Sequence, residues 1–317
     1  MKKYARVAVL IPCWNEEPTV AKVVKDFSKA LPGAKIYVYD NNSTDNTVSR
    51  AKRAGAIVCY EHQQGKGNVV RRMFREIDAD VYILVDGDDT YPAEAARGMV
   101  EAVLKNGADM VIGDRLTSAY AKENKRLFHS FGNNLVKVVI NRIFKANISD
   151  VMTGYRAFSY QFVKTFPVLS RGFEIEAEMT IHAVDKNMQI ESIAVDYRNR
   201  PAGSESKLKT MPDGAKVLRT IMRMFRDYKP FHFWGIIAVV LYAVSLGFAV
   251  PVFVDYANTG IVERFPTLIV CGFTFLVATV SLFSGAILRA ILRDNRREFE
   301  FKLFLVNQER KHKKTPR

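Results

Sequence analysis

Cysteine is scarce, with three in 317 residues: Cys13, Cys59 and Cys271. They fall on a strand end, a strand and an apolar helix without metal-ligand spacing. That rules out a disulfide framework or a cysteine metal site and suits a reducing, cytosolic setting. Acids are in deficit too. The 47 Lys and Arg outnumber the 33 Asp and Glu, leaving a net charge of +14. Such an excess calls for an anionic partner: nucleic acid, a phosphorylated ligand or a membrane surface. Neither a P-loop nor a GxGxxG fingerprint is present, because Gly65-Lys66-Gly67 has the spacing of neither. The N-terminus, Met1 to Pro12, is basic then apolar, but its apolar part is too short for a signal peptide and reads as a first strand. Finally, Asp, Glu, Lys and Arg are missing altogether from two long stretches, residues 231–254 and 266–288.

Before residue 230, strand-like runs alternate with helical patterns. Strands are expected at Val7 to Ile11, Ile36 to Tyr39, Ala56 to Tyr60, Val81 to Val85, Met110 to Ile112 and Ile193 to Tyr197. Helices fall between them, one marked by Val20, Val23, Val24 and Phe27, others near Asn68 to Ile77 and Pro92 to Lys105, the last closed by Asn106-Gly107. This rhythm predicts an α/β fold with an open, mostly parallel, Rossmann-like sheet, whose ligands bind beyond the carboxyl ends of the strands.

The polar clusters sit at those ends. The run Val81 to Val85 leads into Asp86, Gly87, Asp88 and Asp89, then Thr90, Tyr91 and Pro92. Carboxylates this close repel one another and stay ionised most readily around a cation, and hard oxygen ligands suit Mg²⁺ or Mn²⁺. The plainer alternative is a helix N-terminus, where acids favour the first turn and Pro92 fits near its start. Asp40, in Asp40-Asn41-Asn42-Ser43, serves equally as an acceptor for a nucleoside or as part of a turn and cap. Lys66, between its two glycines, either approaches phosphate or sits in a flexible turn. Arg115, just past a strand, fits a structural ion pair or a bidentate diphosphate clamp. Asp150, Glu174 and Glu176 are further acids, the two glutamates placed to cap a following helix.

Taken in order, VLIPCWNEE, VYDNNSTDNT, QGKGNVVR, LVDGDDTYPAE, IGDRL, DVMTGYRAF and RPAGSESKL resemble family 2 glycosyltransferases of the GT-A fold, in particular the polyprenyl-phosphate sugar synthases. The resemblance covers about residues 7 to 208. It implies a nucleoside held by Pro12, Trp14, Asn15, Glu16, Asp40 and Asn42. It places the donor diphosphate and a divalent ion at Asp86, Gly87 and Asp88, with Lys66 and Arg115 alongside. The acceptor phosphate falls to Arg126 and Ser130 on an amphipathic helix over 122–148, and to Arg200 and Lys207 on a basic loop. Two departures stand out: Asp-Asp-Gly-Ser is replaced by Asp40-Asn41-Asn42-Ser43, and Thr90 stands where dolichol-type enzymes carry Gln. The implied reaction is inverting, metal-dependent transfer of a hexose or N-acetylhexosamine from a nucleotide sugar to polyprenyl phosphate. A UDP-sugar carrying glucose or N-acetylglucosamine is favoured over GDP-mannose, and a homo-oligomer, a tetramer, is implied. A synthase acting on a sugar hydroxyl instead needs a carboxylate base, which Asp150, Glu174 or Glu176 can supply. A scaffold that merely keeps the fold predicts no dependence on Asp88.

After the sheet domain (1–208), a basic amphipathic helix is expected over 209–230, suited to the lipid headgroup layer. The runs 231–254 and 266–288 are each long enough to cross a ~30 Å hydrocarbon slab. Arg219, Arg223, Arg226 and Lys229 precede the first run, and Arg289, Arg293, Arg296 and Arg297 follow the second. The positive-inside rule therefore places both termini and the sheet domain on the cytoplasmic side of the cell membrane. The basic tail, 289–317, is expected to be disordered and drawn to anionic lipid. Lipid and phosphorylated ligands account for the charge, so nucleic acid is not required.

Overall fold

The computed structural model describes residues 5–115, 138, 141–142, 148–172, 174–198, 200, 222–223 and 225–314. Its first elements alternate as the sequence pattern requires: β1 (Val7–Cys13), α1 (Val20–Ala30), β2 (Lys35–Asp40), α2 (Thr47–Arg53), β3 (Ile57–Tyr60), α3 (Lys66–Glu76), β4 (Val81–Leu84) and α4 (Ala95–Glu101). The last continues into a π-helical turn, Ala102–Asn106, ended at Gly107. Next come β5 (Met110–Asp114), β6 (Arg156–Ser159), α5 (Tyr160–Thr165), α6 (Ile175–Asp185) and β7 (Ile190–Ala194). The seven strands form one sheet in the order β3-β2-β1-β4-β6-β5-β7. All neighbours run parallel except β6, which is antiparallel to both β4 and β5.

Burial on both faces explains the near-continuous apolar strands. Val9, Ile11, Val38, Ile83 and Val111 are fully buried, and each such side chain contributes about 1.5–3 kcal/mol on leaving water. The apolar stripe of α1 packs here, with Phe27 edge-on to Tyr155 at 5.9 Å between ring centres. Two sequence expectations shift. β6 is an additional strand, unmarked because it is four residues long and begins with an arginine. The last strand ends at Ala194 and not Tyr197, because its ladder to β5 closes at Asp114 opposite Ala194. The expected acceptor helix, with Arg126 and Ser130, lies outside the described residues apart from Val138, Asn141 and Arg142, which are helical. Lys207 and residues 209–221 also lie outside them.

The chain divides into two compact units, Met1–Gly214 with Phe301–Arg317, and Ala215–Glu300. Two helices, α7 (Pro230–Thr259) and α8 (Phe265–Lys314), follow the sheet domain. Each contains an 18-residue window apolar enough to cross a membrane, with mean hydropathy 2.5 and 2.1. Within the second unit they are joined by the Ser245 hydroxyl donating to Cys271 O at 2.8 Å, and by a Tyr242–Thr279 hydroxyl pair at 2.9 Å. Their outward residues are apolar: Val239, Phe248, Phe273 and Phe283 are all more than half exposed.

The tail expected to be disordered is helical as far as Lys314. Its end belongs to the first unit. Arg310 donates to Asp80 Oδ1 at 3.0 Å and Gln161 Oε1 at 2.9 Å, and its guanidinium lies 5.2 Å from the Tyr160 ring centre. Asn307 accepts from Gln161 at 2.9 Å. These contacts hold a segment that composition alone assigns to solvent. A cavity of about 1460 Å³ lies beside them, lined among others by Asp78, Asp80, Asp109, Leu303 and Arg310, at the edge where β1, β4 and β5 begin.

Candidate active site

The polar clusters gather at the opposite edge, where the parallel strands end. At β1 and β2 two loops lock together. Asn15 N donates to Ser43 Oγ, Glu16 N to Thr47 Oγ1, and Thr44 N to Asn15 Oδ1, each at 2.8 Å. Asn15 and Asn42 take left-handed backbone angles, φ 53° and 64°, which asparagine tolerates better than most residues. Asp40 is buried; Oδ2 accepts from Ser43 N at 3.1 Å, while buried Oδ1 has no partner among the described residues. A buried acceptor left open at a strand end suits a ligand donor. Trp14, in the same loop, is 41% exposed.

The departure at Asn41-Asn42 has a local explanation. Asn41 donates to Glu61 O and Gln63 O and accepts from Gly65 N at 2.7 Å, while Asn42 donates to His62 O and Gln64 Oε1. The pair braces the loop leading to Gly65-Lys66-Gly67, and the Asn42 amide is engaged in that bracing. The glycines themselves form a packing seam: a side chain at Gly67 would place its Cβ 2.1 Å from Ser170 O.

Lys66 starts α3 and turns into the protein. Its ammonium stands 2.6 Å from both Asp86 Oδ1 and Glu176 Oε1, with 7% of the side chain exposed. Burial alone would push this lysine down, but the two carboxylates outweigh it and hold the ammonium above its ordinary range. Burial lifts Glu176 above the usual carboxylate value, against the pull of Lys66. The second Asp86 oxygen rests against the backbone of residue 154, where a Cβ would fall 2.2 Å from Oδ2. Any larger residue there would have to displace the Asp86 carboxylate.

Asp88 is 3% exposed. Oδ1 accepts from Thr90 Oγ1 at 2.6 Å and Thr90 N at 3.3 Å, and Oδ2 lies 2.6 Å from Arg200 Nη2. Burial, then the charge of Asp86, raises its pKa above the ordinary aspartate value. Thr90, the residue in place of Gln, thus orients Asp88. Asp89 points elsewhere, to Lys22 at 2.7 Å on the surface.

Arg115 is paired with an acid in this structure. Nε donates to Asp150 Oδ2 at 2.7 Å and Nη2 to Asp150 Oδ1 at 3.0 Å, and the guanidinium lies 5.4 Å from the Tyr197 ring centre. Asp150 is fully buried and also accepts from Met152 N. One further residue escaped sequence reasoning as a site element. Arg156, fully buried at the start of β6, donates to Val151 O at 2.6 Å, Thr153 O at 3.1 Å and Thr180 Oγ1 at 2.8 Å. Burial brings it down to about 10. It ties the loop that reaches Asp86 through Gly154; the only signal was its place in the stretch Asp150 to Phe158. Glu174 stands at the N-cap of α6 without a side-chain hydrogen bond to it, and Glu176 lies in the first turn.

Among the described residues no three His, Cys, Asp or Glu converge as a ready-made metal cage. The site still fits Mg²⁺ or Mn²⁺, which commonly binds through one or two carboxylates and substrate phosphates. Asp88 meets that description: one oxygen is fixed by Thr90, the other turned toward a cation, and burial beside Asp86 leaves it in need of positive charge.

An α/β sheet with one reversed strand and this acidic rim is the arrangement of a GT-A glycosyltransferase. The sequence model of "Glycosyl transferase family 2" matches residues 8–166. The chain belongs to this family. The glycosyltransferase AglJ of Haloferax volcanii is 32% identical over 244 residues, 77% of this chain and 80% of AglJ. A dolichyl-phosphate hexose transferase of the same organism is 28% identical over 218 residues, 69% of this chain and 93% of that protein. Among solved structures, glucosyl-3-phosphoglycerate synthase of Mycobacterium tuberculosis, in complex with Mn²⁺, UDP and glucosyl-3-phosphoglycerate, shares the fold with a TM-score of 0.56 at 21% identity, covering 71% of this chain and 80% of that one.

Proposed function

We propose that this glycosyltransferase moves a hexose or N-acetylhexosamine, glucose or N-acetylglucosamine foremost, from a UDP-sugar to a polyprenyl phosphate at the cytoplasmic face of a membrane. One observation carries the choice of a phosphate acceptor. The two buried acids available as a base for a sugar hydroxyl, Asp150 and Glu176, are committed to Arg115 and Lys66. A phosphate monoester needs no base, since its second pKa near 6 leaves it anionic and nucleophilic at neutral pH.

In this reading Pro12, Trp14, Asn15, Glu16 and Asp40 receive the nucleoside, the open Asp40 oxygen accepting from the base. Asp86 and Asp88 hold Mg²⁺ or Mn²⁺, which when bound supplies positive charge to the departing diphosphate. Arg200 leaves its contact with Asp88 to meet the acceptor phosphate, together with Arg126, Ser130 and Lys207. In-line attack on C1 inverts its configuration, giving a β-linked product from an α-linked donor. The names of the family members, the Mn²⁺ and UDP bound to the structural neighbour, and the outward apolar residues of α7 and α8 support the reading. The flanking arginines favour both termini on the cytoplasmic side.

The test is to incubate membranes containing the protein with a panel of UDP- and GDP-sugars. Undecaprenyl phosphate is offered in parallel with a free sugar acceptor, and the product is weighed by mass spectrometry. A glycosyl-phospholipid is expected; sugar transfer to the free hydroxyl alone would overturn the proposal.

A further inference from the structure

Glu176 is an expensive residue for its place. It is 3% exposed, Oε1 meets Lys66 at 2.6 Å, and Oε2 has no hydrogen-bond partner among the described residues. Lys66 already has a carboxylate at equal distance in Asp86. One carboxylate balances the charge of a buried lysine. Glu176 accepts from a second of the three ammonium donors, but a neutral amide would satisfy that donor without the desolvation cost of a second buried acid. The packing of α6 does not demand a charge there either, since its other buried positions are apolar or neutral, among them Ile175, Ala177, Met179, Thr180 and Ile181. What the second acid changes is charge. With Asp86 alone, Lys66 forms a neutral pair; with both acids ionised against the shared ammonium the cluster is anionic, and it includes Asp86 of the rim itself.

Resting on the donor site proposed above, we infer that Glu176 is a positioning residue that makes nucleotide binding dependent on the metal. By sharing Lys66 with Asp86, it keeps this wall of the pocket negative. A bare nucleoside diphosphate is repelled, and the same diphosphate neutralised by a divalent ion is accepted. Lys66 is in this sense the internal counter-ion that Glu176 prevents from serving as a phosphate receptor. The consequence for turnover is that diphosphate stripped of its ion is released and not retained.

The experiment is calorimetric titration of full-length protein in detergent with UDP and with GDP, in Mg²⁺ and in EDTA. For Glu176→Gln, which keeps shape and removes the charge, metal-free UDP affinity should rise about fivefold or more, with a smaller change in Mg²⁺. Glu176→Met, of similar length, should move the same way if the glutamine variant folds poorly. The double variant Lys66→Met with Glu176→Gln restores the wild-type charge and should return metal-free affinity to the wild-type level. A purely structural Glu176 would lower affinity alike with and without metal, and that result, or an unchanged metal-free affinity in folded variants, overturns the inference while leaving the donor site standing. If the wild type binds neither nucleotide in Mg²⁺, the proposed function fails and the inference with it.

Discussion

Arg200 Nη2 lies 2.6 Å from Asp88 Oδ2, on the one oxygen of that carboxylate that Thr90 does not hold. An arginine assigned to the acceptor thus sits against the residue assigned to the donor's ion, and the two assignments become experimentally linked.

Asp88→Ala removes the best-oriented carboxylate of the rim. Turnover should fall at least about 100-fold, in keeping with loss of one strong electrostatic element of an active site. Mn²⁺ binding followed by electron paramagnetic resonance should weaken in parallel. Wild-type turnover in this variant, or undiminished turnover in EDTA, would refute the role.

Thr90→Val keeps shape and deletes the hydroxyl that fixes Asp88 Oδ1. Partners that orient a metal ligand are typically worth 10–100-fold in affinity, so Mn²⁺ affinity should drop about tenfold, and Thr90→Ser should restore most of it. Equal behaviour of the valine and serine variants would show that the hydroxyl does not matter.

Arg200→Ala should split two measurements. Removing the guanidinium from Asp88 should tighten Mn²⁺ binding by the nucleotide-free protein, because a competing cation is gone. Transfer to the lipid acceptor should slow, with donor KM little changed. Kinetics identical to wild type would leave Arg200 a structural ion pair.

His182 gives a pH-dependent prediction. Burial, then Lys186, brings it down to about 4 from an ordinary 6.5. The unfolded chain takes up this proton near pH 6.5 while the folded form refuses it until about pH 4, so stability is lost as the pH falls across that interval, by up to about 3 kcal/mol. His182→Gln should lessen the slope of Tm against pH between those values. An unchanged slope would mean that other groups carry the acid sensitivity.

Much of the sheet is legible in the sequence because β1, β2, β4 and β5 are buried runs bounded by polar loops, the pattern that parallel packing imposes. β6 is not, since its defining residue, Arg156, is a buried guanidinium satisfied by backbone carbonyls and a hydroxyl. No periodicity announces such a residue. The rim acids are legible from position alone. Their cations are not: Lys66 meets Glu176 across 110 positions and Arg115 meets Asp150 across 35, and choosing among so many possible partners takes the folded chain. Thr90 illustrates the limit of motif reading, since a departure from the family pattern turns out to orient its neighbour.

The contact of Arg310 with Asp80 bears on how a water-soluble piece of this enzyme is to be made. Ending the polypeptide ahead of its first greasy stretch would spare every rim residue yet strip Asp80, Tyr160 and Gln161 at the far edge of the Arg310 contact. A better excision would drop residues 215–300 and splice the preceding portion to 301–314 through a flexible tether. Such a miniature should melt higher than the simple truncation.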